Sequence, residues 1–333
     1  MDFAIPESTQ TFLDQLDEFI ESTIKPMEAE DDNIRFFDHR REDSRTDWDR
    51  DGLPNAEWEA LLRRMRVAAD EAGFFRHQLP ERFGGNDAGN LEMAIIREHL
   101  ARKGLGLHND LQNESSIVGN LVTVLMMERY GSEAQQAEWI PKMLEGTARI
   151  GFGLTEPLHG SDATYMETTA VRDGDEWVIN GEKWFSSNAR FAEFLIVMVV
   201  TDPDNPPYQQ QSMFLVPTDT PGVEIVRNVG LGYEAESESE GTHAYIRYHD
   251  VRVPAEHLLG QRGGGFVVAQ TRLGGGRIHH AMRTSGRIRR IFDMMCERAI
   301  SRTTQGELLS RKQMVQEMIA DSWIEMEMFR LLV

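Results

Sequence analysis

The sequence predicts an α+β fold: an N-terminal helical domain over 1–148, a central antiparallel β domain over 149–258, and the first two helices of a C-terminal bundle, left incomplete, over 259–333. Two patterns predict it. Apolar residues recur with a 3.6-residue period in the first and last thirds, as expected of helices that bury one face. Between Ile150 and His257 that period disappears, and short apolar or alternating runs separated by turn residues replace it. The chain has 333 residues, 40% hydrophobic and 27% charged, which suits a folded protein of more than one domain.

In chain order, Phe12, Leu16, Phe19, Ile20 and Ile24 mark a first helix, and Trp58, Leu61, Leu62, Met65 and Ala68 a second. Between them, Glu28 to Asp51 is highly charged, with Ile34, Phe36, Phe37 and Trp48 as its large apolar residues. It is expected to be a loop or a loosely packed excursion. Pro and Gly cluster in LPERFGGNDAG, Leu79 to Gly89, and mark a break. Helical patterning resumes from Leu91 to Met143.

In the middle third, TAVRDGDEWVING alternates around an Asp-Gly-Asp turn and reads as two strands. Phe194 to Thr201 and Ser212 to Val216 read as buried strands, Val223 to Val226 and Ala244 to Arg247 as shorter ones. Ile288, Ile291, Phe292, Met295, Cys296 and Ala299 then form one helical stripe, and Val315, Met318, Ile319, Trp323, Met326, Phe329 and Val333 another. The second runs to the last residue without a Gly, Asn or Pro stop signal. Leaving two such stripes wet would cost several kcal/mol at ~25 cal/mol per Å². The fold is therefore expected to continue beyond residue 333, with further helices or another subunit covering them.

Composition excludes several classes of function. A formal charge of −20 argues against sequence-independent nucleic-acid binding, which needs net basic surface. An anionic ligand would need a local basic patch. Arg277, Arg283, Arg287, Arg289 and Arg290 offer one, and read equally well as a solvated helix face. The single cysteine, Cys296, excludes a disulfide framework and a Cys-rich zinc site. MDFAIPESTQ has no apolar core of a signal peptide, RLLV is no sorting address, and the apolar run Phe194 to Val200 is too short to span a bilayer. No membrane span is expected, and a cytoplasmic protein is, or a mitochondrial-matrix one in a eukaryote.

Two segments carry chemistry. IGFGLTEPLHGSD, Ile150 to Asp162, gathers glycines and hydroxyls around one acid; it suits a pocket lined by backbone, or an ordinary irregular loop. Its Gly151 and Gly153 begin like a dinucleotide fingerprint, but Glu156 occupies the last glycine position and no βαβ unit surrounds it. NGEKWFSSNA, Asn180 to Ala189, places flat Trp184 and Phe185 beside Ser186 and Ser187; it suits the flank of a planar heterocycle, or a half-buried strand with two core aromatics. His279 and His280 are adjacent and point about 100° apart on a helix, so they do not chelate a metal together.

LTEPLHGSD followed by NGEKWFSSNA resembles the flavin-binding signature of the acyl-CoA dehydrogenase family. LPERFGG, YGSEAQQAEWIPKMLEGTARIGFGLTEP and GGGFVVAQTRLGGGRIHHAMR resemble further stretches of that family in the same order, over most of residues 55–333. The last is similar to the branch that contains mammalian members with extra kinase-like domains. The resemblance implies that FAD is the cofactor, with Phe152, Leu154, Thr155, Ser161, Phe185, Ser186 and Ser187 lining it. It implies that Arg302, Thr303, Thr304, Lys312 and Gln313 reach a flavin held by a neighbouring subunit of a homodimer or homotetramer. Ser161 and the stretch Gly274, Gly275, Gly276 and Arg277 would contact an acyl-CoA substrate, with Gly275 and Gly276 leaving room near the acyl chain. The implied reaction is α,β-dehydrogenation of the thioester in fatty-acid β-oxidation, with electrons passed to an electron-transfer flavoprotein.

The chain departs from the family pattern at three places. The usual base, a Glu on a later loop, is expected beyond Val333, and Gly276 stands where some members carry a Glu instead. His159 replaces a small residue, and Gln305 stands where an aromatic one is common. Two alternatives follow: a truncated, catalytically silent paralogue acting as a binding module, and an oxidase-type flavoenzyme on the same fold.

Overall fold

The computed structural model describes residues 4–50, 53–110, 115–229 and 243–333. Its helices are α1 (Glu7–Phe19), α2 (Lys25–Ala29), α3 (Ala56–Glu71), α4 (Asn90–Arg102), α5 (Val122–Tyr130), α6 (Glu133–Glu145), α7 (Gly265–Ser301) and α8 (Gln313–Leu332). Its strands are β1 (Thr46–Asp47), β2 (Leu53–Pro54), β3 (Ile150–Gly153), β4 (Thr169–Asp173), β5 (Glu176–Ser187), β6 (Phe194–Val200), β7 (Gln211–Pro217), β8 (Val223–Asn228), β9 (His243–Pro254), β10 (Leu258–Leu259), β11 (Thr303–Thr304) and β12 (Glu307–Leu308). These group into two compact units. One is helical and comprises Met1–Glu42, Glu57–Leu121 and Gly275–Val333; the other comprises Asp43–Ala56 and Val122–Gly274 and holds the main sheet.

In the helical unit, the apolar period does what it predicts. Leu13, Leu16, Ile20 and Ile24 are buried along α1 and the π-helical turn Ile20–Ile24 that follows it, as are Trp58, Leu61, Leu62 and Met65 on α3 and Met93, Ile96 and Leu100 on α4. Gly286 of α7 is a close-approach glycine, since a Cβ there would lie 2.2 Å from the Glu98 carbonyl oxygen of α4. The buried Arg97 guanidinium donates to the carbonyls of Val118 (2.5 Å) and Gly119 (2.8 Å), tying the chain after α4 to that helix.

Two sequence expectations need correction here. Glu28 to Asp51 is not a plain loop. Asp51 lies outside the described residues, but 3₁₀ turns occupy Glu30–Phe37 and His39–Arg45, and Phe36 is buried with its ring 5.3 Å from that of Trp58. Phe37 meets the same indole edge-on at 5.7 Å and Arg64 pairs with Glu30 at 2.7 Å, so aromatic packing and an ion pair hold the charged segment. Nor is 91–143 continuously helical: α4 ends at Arg102, α5 starts at Val122, and 111–114 lie outside the described residues. Gly104, Gly106 and Gly119 break the period there.

Helices α7 and α8 pack through Phe292 and Trp323 (centroids 5.4 Å apart), Arg289 over the Trp323 ring (4.6 Å), and the Arg289–Glu327 ion pair (2.8 Å). Met326 is buried, but Ile291, Met318, Trp323 and Val333 of the expected stripes stand exposed, as do Ile324 and Leu332 beside them. The hairpin β11–β12 turns at Gln305 and Gly306, both with positive φ (51° and 81°), as a two-residue turn of this twist requires.

The sheet unit is built on an eight-stranded sheet in the order β10-β7-β6-β4-β5-β9-β8, with β3 pairing on β6. β6 is the continuous apolar run of the sequence, β7 carries Met213 to Val216 after the polar Gln211 and Ser212, and both are buried along their length up to the last residue. The β4–β5 turn falls at Gly174, at φ +64°. β9 is far longer than the strand expected at Ala244 to Arg247. The sheet is not antiparallel throughout: β3 runs parallel to β6, and β4 meets β6 in parallel at Thr169–Val200. α6 begins with a capping box at Ser132 and Gln135, and Gln135 Nε2 also donates to the Glu256 and Leu258 carbonyls (2.8 and 3.2 Å).

Candidate functional site

Within the sheet unit, β3 delivers the chain into the loop that starts at Leu154. That loop is fastened by one buried acid. The Glu156 backbone N–H donates to the His159 carbonyl (3.0 Å), and the His159 N–H donates back to Glu156 (3.2 Å). The Glu156 carboxylate accepts the N–H groups of Glu167 (2.6 Å) and Thr168 (3.0 Å), and the Lys183 ammonium at 2.8 Å. Lys183 also donates to the Leu154 carbonyl (3.1 Å), and Gln211 Nε2 donates to Thr164 at 2.8 Å. Both ends of the loop and its middle are thereby pinned to the sheet.

Burial alone would raise the Glu156 carboxyl, but the Lys183 charge and the donated N–H groups together hold it below its ordinary range. Burial pushes the Lys183 ammonium down to about 8, against the opposing pull of Glu156. The pair is desolvated and fully hydrogen-bonded, the arrangement in which breaking one partner is costly.

The same strand then breaks its own alternation. Trp177, Ile179 and Lys183 point inward at period two, yet Ser186 is also fully buried, because the register with β9 slips between Lys183 and Ser186. Phe185 sits in that irregularity at φ +55°, where a non-glycine residue is strained, and its ring is 40% exposed. The Trp184 N–H donates to the Thr155 carbonyl (2.7 Å), joining the bulge to the loop. Gly181, at φ +142°, lets Thr168 close in; a Cβ there would lie 2.6 Å from the Thr168 Cα. Trp184 itself packs against Tyr245 (5.2 Å) and under Arg227 (5.5 Å), so its flat face is used inside the sheet unit while that of Phe185 is open. Ser187 Oγ lies 2.7 Å from His243 Nδ1 on β9.

The structure thus brings Phe152, Leu154, Thr155, Ser161, Phe185, Ser186 and Ser187 onto β3, its following loop and the end of β5. Phe152 is capped by the Arg272 guanidinium of α7 at 5.0 Å, Ser161 is exposed, and His159 packs on Tyr165 (5.3 Å). Gly274, Gly275, Gly276 and Arg277 follow one another along α7, and a Cβ at Gly274 or Gly276 would meet nothing within 4 Å. Arg302, Thr303, Thr304, Lys312 and Gln313 lie in the helical unit around β11–β12, where Lys312 pairs with Glu307 (3.3 Å). His279 is buried, and burial takes its imidazole down to about 3, so it is a neutral packed residue.

Sequence reasoning missed Lys183, Gln211, Arg272 and His243. For Lys183 a signal existed: it falls on the inward phase set by Trp177 and Ile179, where a charge needs a partner. The others depend on contacts distant in sequence.

Three family models match successive stretches: the acyl-CoA dehydrogenase N-terminal domain over residues 6–147, the middle domain over 151–243 and the C-terminal domain over 263–333. The probable acyl-CoA dehydrogenase FadE2 of Mycobacterium tuberculosis is 37% identical over 100% of this chain and 77% of its own length. Acyl-CoA dehydrogenase family member 11 of Gallus gallus is 35% identical over 82% of this chain, which spans only 34% of that protein. A putative acyl-CoA dehydrogenase from Mycobacterium abscessus shares the fold at a TM-score of 0.79 and 32% identity, over 99% of this chain and 79% of that one. The chain belongs to the acyl-CoA dehydrogenase family, whose proteins bind FAD. Among the described residues, no helix is long and apolar enough to cross a membrane.

The residues present fit such a cofactor. Phe185 offers an open, strained aromatic face, and Ser187 offers a hydroxyl two residues away. Trp184 Nε1 and Ser186 Oγ are buried without a hydrogen-bond partner, which is costly unless something supplies one.

Proposed function

We propose that this protein is an FAD-dependent acyl-CoA dehydrogenase that desaturates an acyl-CoA thioester between its α and β carbons in fatty-acid oxidation. An electron-transfer flavoprotein would take the electrons, and the working form would be a homodimer or homotetramer. The observation that carries this reading is the joined cradle: the Leu154–Ser161 loop clamped by Glu156 and Lys183 against the Phe185 bulge, in a chain of this family.

FAD, when bound, supplies the two-electron hydride acceptor. The chain's own part is to hold and shape. Leu154 and Thr155 present backbone along the cofactor, Phe185 flanks its ring, and Ser161 and Ser187 contribute hydroxyl groups. Gly274 and Gly276 keep α7 free of side chains where an acyl chain would run. Loss of the α-proton requires donors aimed at the developing enolate oxygen and a carboxylate desolvated enough to act near neutrality. Gly276 offers no such carboxylate.

That same glycine favours a second reading, a binding module that takes up FAD and acyl-CoA without turnover. One experiment separates them. The purified chain is loaded with FAD and mixed anaerobically with acyl-CoAs of graded length. Bleaching of the flavin absorbance supports the dehydrogenase; saturable binding without bleaching supports the module; failure to take up FAD overturns both. Peroxide formation in air at the rate of bleaching would assign an oxidase instead.

A further inference from the structure

We propose that His243 is a positioning residue for the flavin site, acting through Ser187: it fixes which hydrogen-bonding character the Ser187 hydroxyl presents to the cofactor. The inference rests on the flavin reading above and deepens it. Ser187 and His243 stand directly opposite each other on β5 and β9, and Ser187 Oγ lies 2.7 Å from Nδ1, a short contact for this pair of atoms.

A serine hydroxyl has one donor and two acceptor lone pairs, and alone on a strand it rotates among them. The Nδ1 contact removes that freedom. If Nδ1 carries a lone pair, Ser187 spends its proton on the imidazole and has only lone pairs left to offer. If Nδ1 carries a hydrogen, Ser187 accepts it and keeps its own proton to give. The first tautomer leaves the hydroxyl only lone pairs; the second turns its proton away from the imidazole with one lone pair remaining, and so biases it toward donation. The backbone is set too, since the Val229 N–H donates to the His243 carbonyl (2.8 Å) and anchors the ring's base on β9. The ring nitrogen at the reactive edge of a flavin is an acceptor when oxidised and a donor when reduced. A hydroxyl restricted to or biased toward one character therefore favours one redox state over the other, and a freely rotating one does not.

The test compares the midpoint potential and visible spectrum of bound FAD in the unmodified protein with His243→Phe, His243→Asn, Ser187→Ala and the double variant Ser187→Ala/His243→Phe. The Phe variant should shift the potential in the same direction as Ser187→Ala, by about a tenfold change in the ratio of oxidised to reduced affinity, ~30 mV for two electrons. The double variant should add nothing to Ser187→Ala, and Asn, whose amide reaches where Nδ1 does, should restore the unmodified values. A potential unchanged in His243→Phe, or shifts that add in the double variant, would overturn the inference while leaving the flavin reading intact. Absence of saturable FAD uptake by the unmodified protein overturns the flavin reading itself. Should the Phe variant not fold, His243→Ala removes the same contact without added bulk and is read by the same criteria.

Discussion

Two strands of one sheet treat burial in opposite ways. β6 presents Phe194 to Val199 as an unbroken apolar row, fully buried, paired along its length with β7 and flanked on its other edge by β3 and the start of β4. The far end of β5 buries an ammonium, holds a phenylalanine at positive φ and leaves two polar atoms without partners. The first arrangement maximises stability and offers a ligand nothing. The second concentrates local cost within five residues, which persists only where the surroundings fix it and where a ligand can relieve it.

The largest expected effect comes from breaking the cradle. Lys183→Met should lose about 4 kcal/mol by urea unfolding, because Glu156 stays buried without its cation. Adding Glu156→Leu should recover most of that stability while FAD affinity stays weak; full recovery of FAD affinity would show that the clamp does not shape the site. Next, Leu195→Ala in β6 should cost about 3 kcal/mol and leave FAD affinity of the folded fraction unchanged. Fluorescence titration at a temperature where both variants are folded separates the two cases.

Acid sharpens the contrast between the units. Burial takes His108 down to about 4 and His279 to about 3, both in the helical unit. A lowered folded-state value means that the stability is present in full above the ordinary histidine value of ~6.5 and drains as pH falls toward the folded one. By pH 5 each should cost about 2 kcal/mol. Glu156 is likewise lowered, but from 4.5, so its contribution is lost only below that pH. Hydrogen exchange at pH 5 should therefore accelerate in α4 and α7 before β5. The smallest effect is Phe185→Gly, which should raise stability by up to about 1 kcal/mol by relieving the positive φ, and weaken FAD.

β6 was legible because seven apolar residues in a row leave few other fates, and β7 from the shorter apolar run Met213 to Val216. The β4–β5 hairpin was legible from Asp173, Gly174 and Asp175, and the C-terminal end of α7 from its stripe over Ile288 to Ala299. The cradle was half legible: the two segments stood out by composition, but not their clamp. Lys183 stands on the inward phase of Trp177 and Ile179, but its partner, Glu156, lies 27 positions earlier and no local pattern names it. The parallel docking of β3 and the bulge at Phe185 arise from pairing across the sheet, which no local period encodes. Phe36 anchors a stretch whose charge hides it.

The place of β5 in the sheet bears on how the protein is made. One of its neighbours, β4, is local, but the other is β9, with Asn180 and Asp250 separated by 70 residues. At ~5–20 residues per second of synthesis, β9 leaves the ribosome roughly 4–14 s after β5. For that interval the strand that will carry Phe185 and Ser187 has one bare edge, open to pairing with any extended segment nearby. A nascent-chain holdase would be most useful to this protein in that window.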